Sequence, residues 1–175
     1  MTDPTQNCQH LGLQPGQHVA DLGAGAGYYT LAAAELVGSG GKVFAIDVRK
    51  DMLEKIKSTA TDEGYSNVEV AWGNIEVENG TRLRSDSIDA VIIANTLFQI
   101  DDPAGMARET ARILKPGGKV LVVDWSGSYG GLGPAEDQVV PEETARELFE
   151  LAGFTPANDV PTGEHHYGFV MTNNV

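Results

Sequence analysis

The sequence predicts an α/β protein with a doubly wound, mostly parallel seven-stranded sheet, helices on both faces and an antiparallel last strand. Three observations carry that prediction. Short β-rich runs alternate with amphipathic helical stretches along the chain, the pattern of a parallel sheet covered on both sides. A glycine-rich turn follows the first strand, where folds of this kind bind ligands. The run from Ile88 to Ala94 is apolar but for Asp89, as expected of a central strand buried on both faces.

His18 to Leu22 reads as the first strand, and Tyr28 to Val37, rich in Ala and Leu, as the first helix. Gly38-Ser39-Gly40-Gly41 breaks that helix before a second strand from Lys42 to Asp47. A helix follows from Asp51 to Glu63, with Met52, Leu53, Ile56 and Ala60 on one face. Val68 to Trp72 alternates as a third strand, and Ile88 to Ala94 is the fourth. Pro103 opens a helix to about Leu114, which Lys115-Pro116-Gly117-Gly118 ends. Lys119 to Trp125 is the fifth strand, and Ser126 to Pro134 a long flexible loop. Pro141 to Ala152 is the last helix, with strands around Phe154 to Val160 and His166 to Met171 after it.

A chain of 175 residues without a repeat or linker is read as one domain, 1–175, since it can bury one sizeable core. No apolar run reaches the roughly 20 residues needed to span a bilayer, and the start, Met1 to Asn7, lacks the pattern of a secretory signal. Cys8 is the only cysteine, so neither an internal disulfide nor a thiolate metal cluster is expected. These features favour the cytoplasm, with no metal and no membrane partner, and leave a homodimer open. The net charge of −13, from 25 acids against 12 Lys and Arg, argues against a nucleic acid as partner.

The chemistry is concentrated in the turn Asp21-Leu22-Gly23-Ala24-Gly25-Ala26-Gly27-Tyr28. Glycines there let a ligand approach the backbone, and the helix that follows points its first amides at it. Two details choose the ligand. The dinucleotide fingerprint needs a small residue at its sixth position; counted from Gly23, that position is the bulky Tyr28. Asp21 ends the strand just before the glycines, and a carboxylate there repels a pyrophosphate but suits an ammonium with a sulfonium nearby. Asp47 ends the second strand, the position where an acid grips ribose hydroxyls.

Asp21 to Gly27, then Asp47, Gly73-Asn74-Ile75, Asp89 to Asn95 and Leu114-Lys115-Pro116-Gly117-Gly118 resemble, in order and spacing, the successive motifs of class I S-adenosylmethionine-dependent methyltransferases. The likeness spans roughly residues 15 to 125 and is nearest the small-molecule group that includes the quinone C-methyltransferases. It implies S-adenosylmethionine as cofactor and a small-molecule methyl acceptor. By the same resemblance Asp21 would contact the methionine amino group, and Gly23, Ala24, Gly25 and Gly27 would form the turn that holds the cofactor. Asp47 would bind both ribose hydroxyls, while Val48 or Met52 would pack on the adenine. Asn74 stands where most members have Asp; it would accept from the adenine amino group and the Ile75 amide would donate to the ring. Asn95 and Thr96 would border the sulfonium.

The acceptor side carries fewer signals. Asn95-Thr96-Leu97-Phe98-Gln99 lacks the Pro-Pro-Tyr element of nucleobase amino-methyltransferases, which argues against such targets. Gln99, at a place where relatives often carry His, would touch substrate. Trp125 and Tyr129 follow the fifth strand on the site side, and Trp125 either walls the methyl pocket or caps the core. His165 and His166 are adjacent, so on a strand they face opposite sides and cannot share one metal; His166 remains a substrate-side candidate. No residue is singled out as a catalytic base. An acceptor presented by a protein or RNA partner, and cofactor binding without catalysis, remain as alternatives.

Overall fold

The computed structural model describes residues 2–175. Its elements are α1 (Pro4–Leu11), β1 (His18–Leu22), α2 (Tyr28–Val37), β2 (Lys42–Asp47), α3 (Lys50–Asp62), β3 (Val68–Trp72), β4 (Ile88–Ala94), α4 (Pro103–Ile113), β5 (Leu114–Trp125), α5 (Glu142–Leu151), β6 (Phe154–Asp159) and β7 (His166–Asn173), with short 3₁₀ turns at Leu97–Gln99 and Glu136–Gln138. The seven strands form one sheet in the order β3-β2-β1-β4-β5-β7-β6. Strands β1 to β5 pair in parallel, and β7 runs antiparallel to both β5 and β6.

The strands divide their side chains between two cores because successive residues point to opposite faces. Val91 and Ile93 of β4, Val120 and Val122 of β5, and Phe169 and Met171 of β7 pack with Met106, Ile113 and Phe149 of α4 and α5. Their sequence neighbours Ala90, Ile92, Leu121, Val123 and Val170 pack instead with Cys8 and Leu11 of α1 and Ala33 and Val37 of α2. All of these side chains are buried. Doubly buried strands explain the near-continuous apolar runs read in the sequence.

Helix α1 is an addition to the sequence-based reading. Its residues are mostly polar, but Asp3 caps it by accepting from the Gln6 amide at 3.1 Å, and Pro4 opens it. Cys8 lies fully inside the core, where burial pushes its thiol up to about 12. The Lys-Pro-Gly-Gly stretch is a second difference. Leu114 already pairs with Ile88, and the register shifts before Ala90 pairs with Lys119. The segment is therefore an irregular start to β5 rather than a gap between helix and strand.

The long connection between β3 and β4 is pinned by one acid. Glu109 of α4, buried, accepts from the Thr81 hydroxyl at 2.7 Å and from the Asn79 and Thr81 amides at 3.0 and 3.3 Å. Arg112 neutralises it at 2.6 Å. Among the described residues, no helix is long and apolar enough to cross a membrane.

Candidate functional site

Strand order reverses between β1 and β4, which leaves a crevice at the carboxyl ends of the parallel strands. A cavity of about 190 Å³ opens there, lined by Gly23, Asp47, Val48, Asn74, Thr96, Gln99 and their neighbours. The topology thus gathers residues from the loops after β1, β2, β3 and β4.

The glycine turn is held from below. The amides of Gly23 and Ala24 both donate to the Ile46 carbonyl, at 2.9 and 3.1 Å. Gly23 has φ of 73°, and a Cβ on it would lie 2.7 Å from Thr96 Cγ2, so this position needs glycine for both reasons. Gly27 has φ of 86°, and a Cβ there would meet Ile56 of α3 at 2.7 Å. That close approach corrects one step of the sequence argument. Helix packing depends on Gly27, whereas Tyr28 is 72% exposed, so its bulk does not stand between helix and sheet.

Asp21 lies at the end of β1, only 3% exposed, and accepts from the Thr30 hydroxyl at 2.7 Å. Burial raises its carboxyl to about 7, partly opposed by the Thr30 hydrogen bond. Asp47, also buried, is held differently. The Gly25 amide donates to its Oδ2 and the Arg49 amide to its Oδ1, each at 2.9 Å. Arg49 adds two side-chain bonds, Nε to Oδ1 at 3.1 Å and Nη2 to Oδ2 at 3.3 Å. Burial alone would raise this carboxyl, but the Arg49 and Gly25 hydrogen bonds hold it below the usual carboxylate range.

On the β2 and β3 side, the exposed Val48 is anchored through its carbonyl, which accepts from the Trp72 indole at 2.9 Å. Met52 sits half-buried in the first turn of α3. The side-chain oxygen of Asn74 accepts from the Glu76 amide at 3.0 Å, an Asx turn beside the buried Ile75. Glu76 in turn receives the Asp101 and Asp102 amides at 2.7 and 2.6 Å. Trp72, Glu76 and Arg49 were not read as site residues; Trp72 directly precedes the Gly73-Asn74-Ile75 motif, Glu76 directly follows it and Arg49 lies two residues after Asp47, and that adjacency is the signal that could have found them.

After β4, Asn95 takes a left-handed conformation, φ 54°, that Asn tolerates better than most residues. Its side-chain oxygen is buried without a partner, and its carbonyl accepts from Gln99 Nε2 at 2.8 Å. The loop is locked by Asp124, which accepts from the Leu97 and Trp125 amides, each at 2.8 Å. Burial raises the Asp124 carboxyl to about 6.

Trp125, Tyr129 and His166 form a separate aromatic cluster at the ends of β5 and β7, rather than lining the cavity with Gln99. The Trp125 and His166 rings are 4.2 Å apart, and Tyr129 stacks on His165 at 4.2 Å. Tyr129 also shares a 2.7 Å hydrogen bond with the Ser126 hydroxyl. The loop after β5 is a tight turn in which Tyr129 and Leu132 exchange backbone bonds, and Gly133 lies against the Trp125 indole.

A ligand with an ammonium, a vicinal diol and an adenine fits these residues. Asp47 presents two acceptor positions that the backbone does not use, Asn95 an unpaired buried oxygen, and Gly23 and Gly25 a turn that carries no side chain of its own. The chain's similarities to known proteins agree with that chemistry. A family described as a methyltransferase domain matches residues 13–167. The ubiquinone/menaquinone biosynthesis C-methyltransferase UbiE of Hahella chejuensis is 34% identical over 116 residues, 66% of this chain and 45% of that protein. The demethylmenaquinone methyltransferase of Lactococcus lactis is 33% identical over 121 residues, 67% of this chain and 46% of that protein. This chain therefore spans under half the length of these curated relatives. The crystal structure of a SAM dependent methyltransferase from Aquifex aeolicus superposes with a TM-score of 0.88 at 28% identity, covering 98% of this chain and 89% of that one.

Proposed function

Since the chain belongs to the class I S-adenosylmethionine-dependent methyltransferases, we propose that it transfers the cofactor's methyl group to a small-molecule acceptor, in the cytoplasm. The observation that carries this reading is an acid in the crevice wall, Asp47, with a second acid, Asp21, buried near enough to feel its charge. Asp21 is buried at the end of β1, and Asp47 is fixed by two backbone amides at the end of β2. When bound, S-adenosylmethionine supplies an electrophilic methyl on a positively charged sulfur.

The chain's own residues bind and orient. Asp47 takes the ribose hydroxyls, Asp21 and Asn95 the ammonium, and the Asn74-Ile75 turn and Val48 the adenine, with Met52 beside them. Thr96, packed under Gly23, fixes the glycine turn relative to the loop that carries Gln99. In-line transfer depends on such placement more than on acid–base chemistry. Where the acceptor releases a proton, His166 is the group at that end of the sheet suited to take it. Burial lowers its pKa, so the imidazole is neutral near pH 7. Trp125 and Tyr129 offer flat surfaces beside it for a planar acceptor. The similar proteins, a ubiquinone/menaquinone biosynthesis C-methyltransferase and a demethylmenaquinone methyltransferase, support an acceptor of that shape, and the chain's acidity speaks against RNA or DNA.

Two measurements test this reading. Calorimetry should show binding of S-adenosylmethionine and none of a nicotinamide dinucleotide. Incubation with methyl-labelled cofactor should then label the small-molecule fraction of a cell extract. Label in protein or RNA alone would overturn the acceptor assignment, and binding of the dinucleotide alone would overturn the cofactor. Sedimentation of the same sample tests whether a homodimer forms.

A further inference from the structure

The four hydrogen bonds on Asp47 are of two kinds. Those from the Gly25 and Arg49 amides, at 2.9 Å, belong to the backbone and fix the plane of the carboxylate. Those from the Arg49 side chain are longer, 3.1 and 3.3 Å, one to each oxygen. A carboxylate offers about four acceptor positions, so the backbone fills half and the guanidinium fork fills the rest. The Asp47 side chain is 4% exposed and that of Arg49 47%, so the acid is fixed while its partner reaches solvent. The guanidinium also lies over the glycine turn. A Cβ on Gly25 would have Arg49 Nη2 at 3.5 Å and, beyond that, only the Gly23 carbonyl within 4 Å.

We propose that Arg49 is a resident competitor for the ribose seat, and that nucleoside binding is an exchange of its guanidinium fork for a vicinal diol. The inference rests on the reading of Asp47 as the ribose-binding acid. A fork offers two adjacent N–H donors to two oxygens, and a cis-diol offers two adjacent O–H donors to the same pair. Without either, an ionised carboxylate in the cavity wall would lose half of its hydrogen bonds, beside Asp21, whose carboxyl its charge helps to raise. Arg49 therefore keeps the ligand-free site satisfied, and the work of displacing it is subtracted from the ligand's affinity. It also sharpens selection. A ligand with one hydroxyl displaces two donors and returns one, leaving one oxygen of Asp47 short of a donor that the native partner supplied. The displaced arm has a second acid nearby in Asp51, in the first turn of α3.

Calorimetry with S-adenosylhomocysteine and with adenosine tests the exchange. Both carry the diol, and neither carries the sulfonium whose charge would confuse the comparison. Arg49→Ala should bind both probes about two- to fivefold more tightly than the native chain, the range set by a partly exposed ion pair. Arg49→Lys, which keeps the charge and loses the fork, should lie between them. The ligand-free Arg49→Ala protein should melt a few degrees lower, since Asp47 has lost its partner; if it does not fold, Arg49→Lys and Arg49→Gln carry the comparison. Unchanged or weaker binding by the variants overturns the proposal. Asp47→Asn separates this failure from that of the underlying reading. If Asp47→Asn weakens both probes while the Arg49 variants do not tighten them, only the exchange is wrong. If native chain and Asp47→Asn bind alike, or the native chain binds neither probe, the ribose assignment itself falls.

Discussion

Asp21 and Asp47, acids at the ends of neighbouring strands, have opposite electrostatic fates, and the difference lies in what their neighbours donate. Asp47 receives two backbone amides and a guanidinium, which keep it ionised despite burial. Asp21 receives one hydroxyl, and burial carries its carboxyl from 3.8 to about 7. In the ligand-free protein the folded state therefore holds a proton on Asp21 that the unfolded chain releases. Its contribution to stability is intact below pH 3.8 and is lost as pH rises to about 7. An Asp21→Asn variant should lack this loss, so chemical denaturation of the two proteins should diverge across that interval. Binding has the reverse sign, because an ammonium-bearing ligand needs the ionised acid. S-adenosylmethionine affinity measured by calorimetry should fall by up to about tenfold per pH unit below pH 7, and Asp21→Asn should abolish the slope. For Asp47, Asp47→Ala should weaken the cofactor by about 1.5 to 3 kcal/mol, the range for hydrogen bonds to a charged group; the same titration measures it.

At the scale of elements, strands and helices were legible where periodicity is strong. The bounds expected for β1, α2, β2, β3 and β4 agree with those found, since alternation and apolar runs report burial directly. Helix α1 escaped because only Asn7, Cys8 and Leu11 of its eight residues are buried, leaving too narrow an apolar stripe; the Asp3-Pro4 cap was the readable signal. The β3–β4 connection was equally silent. Its order comes from Glu109, a residue that sequence periodicity would treat as a surface acid. With its side chain fully enclosed and paired to Arg112, Glu109→Ala should cost about 3 to 5 kcal/mol, as expected for removing one partner of a buried pair. Urea unfolding gives the value, and a loss under about 1 kcal/mol would mean that the network behaves as a surface pair. The loop after β5 was expected to be flexible. The turn at Tyr129–Leu132 and the packing of Gly133 on Trp125 give it a definite shape instead.

At the scale of the molecule, a chain with 25 acids and 12 Lys and Arg works against its own compactness. Exposed pairs such as Lys42–Glu69 are worth little and weaken with salt. Screening should therefore relieve more repulsion than it removes attraction. Raising NaCl from about 0.05 to 0.5 M should raise the melting temperature, whereas a fall would show that ion pairs dominate. The sequence by itself determined the sheet, its parallel core and the cofactor, because each is written in contiguous residues: a periodicity, a glycine turn, an acid at a strand end. Contiguity could not say that the Arg49 guanidinium turns back onto Asp47, that Asp124 holds the loop after β4, or that Trp125 and His166 meet on neighbouring strands rather than line the cavity. Those relations join residues far apart in the chain, or depend on where a long side chain comes to rest, and only packing of the whole sheet decides them. The strand-end acid Asp47 shows both halves. Its place was legible in the sequence, but that its own neighbour Arg49 already fills the seat was decided by the fold, which buries the acid and leaves the guanidinium at the surface.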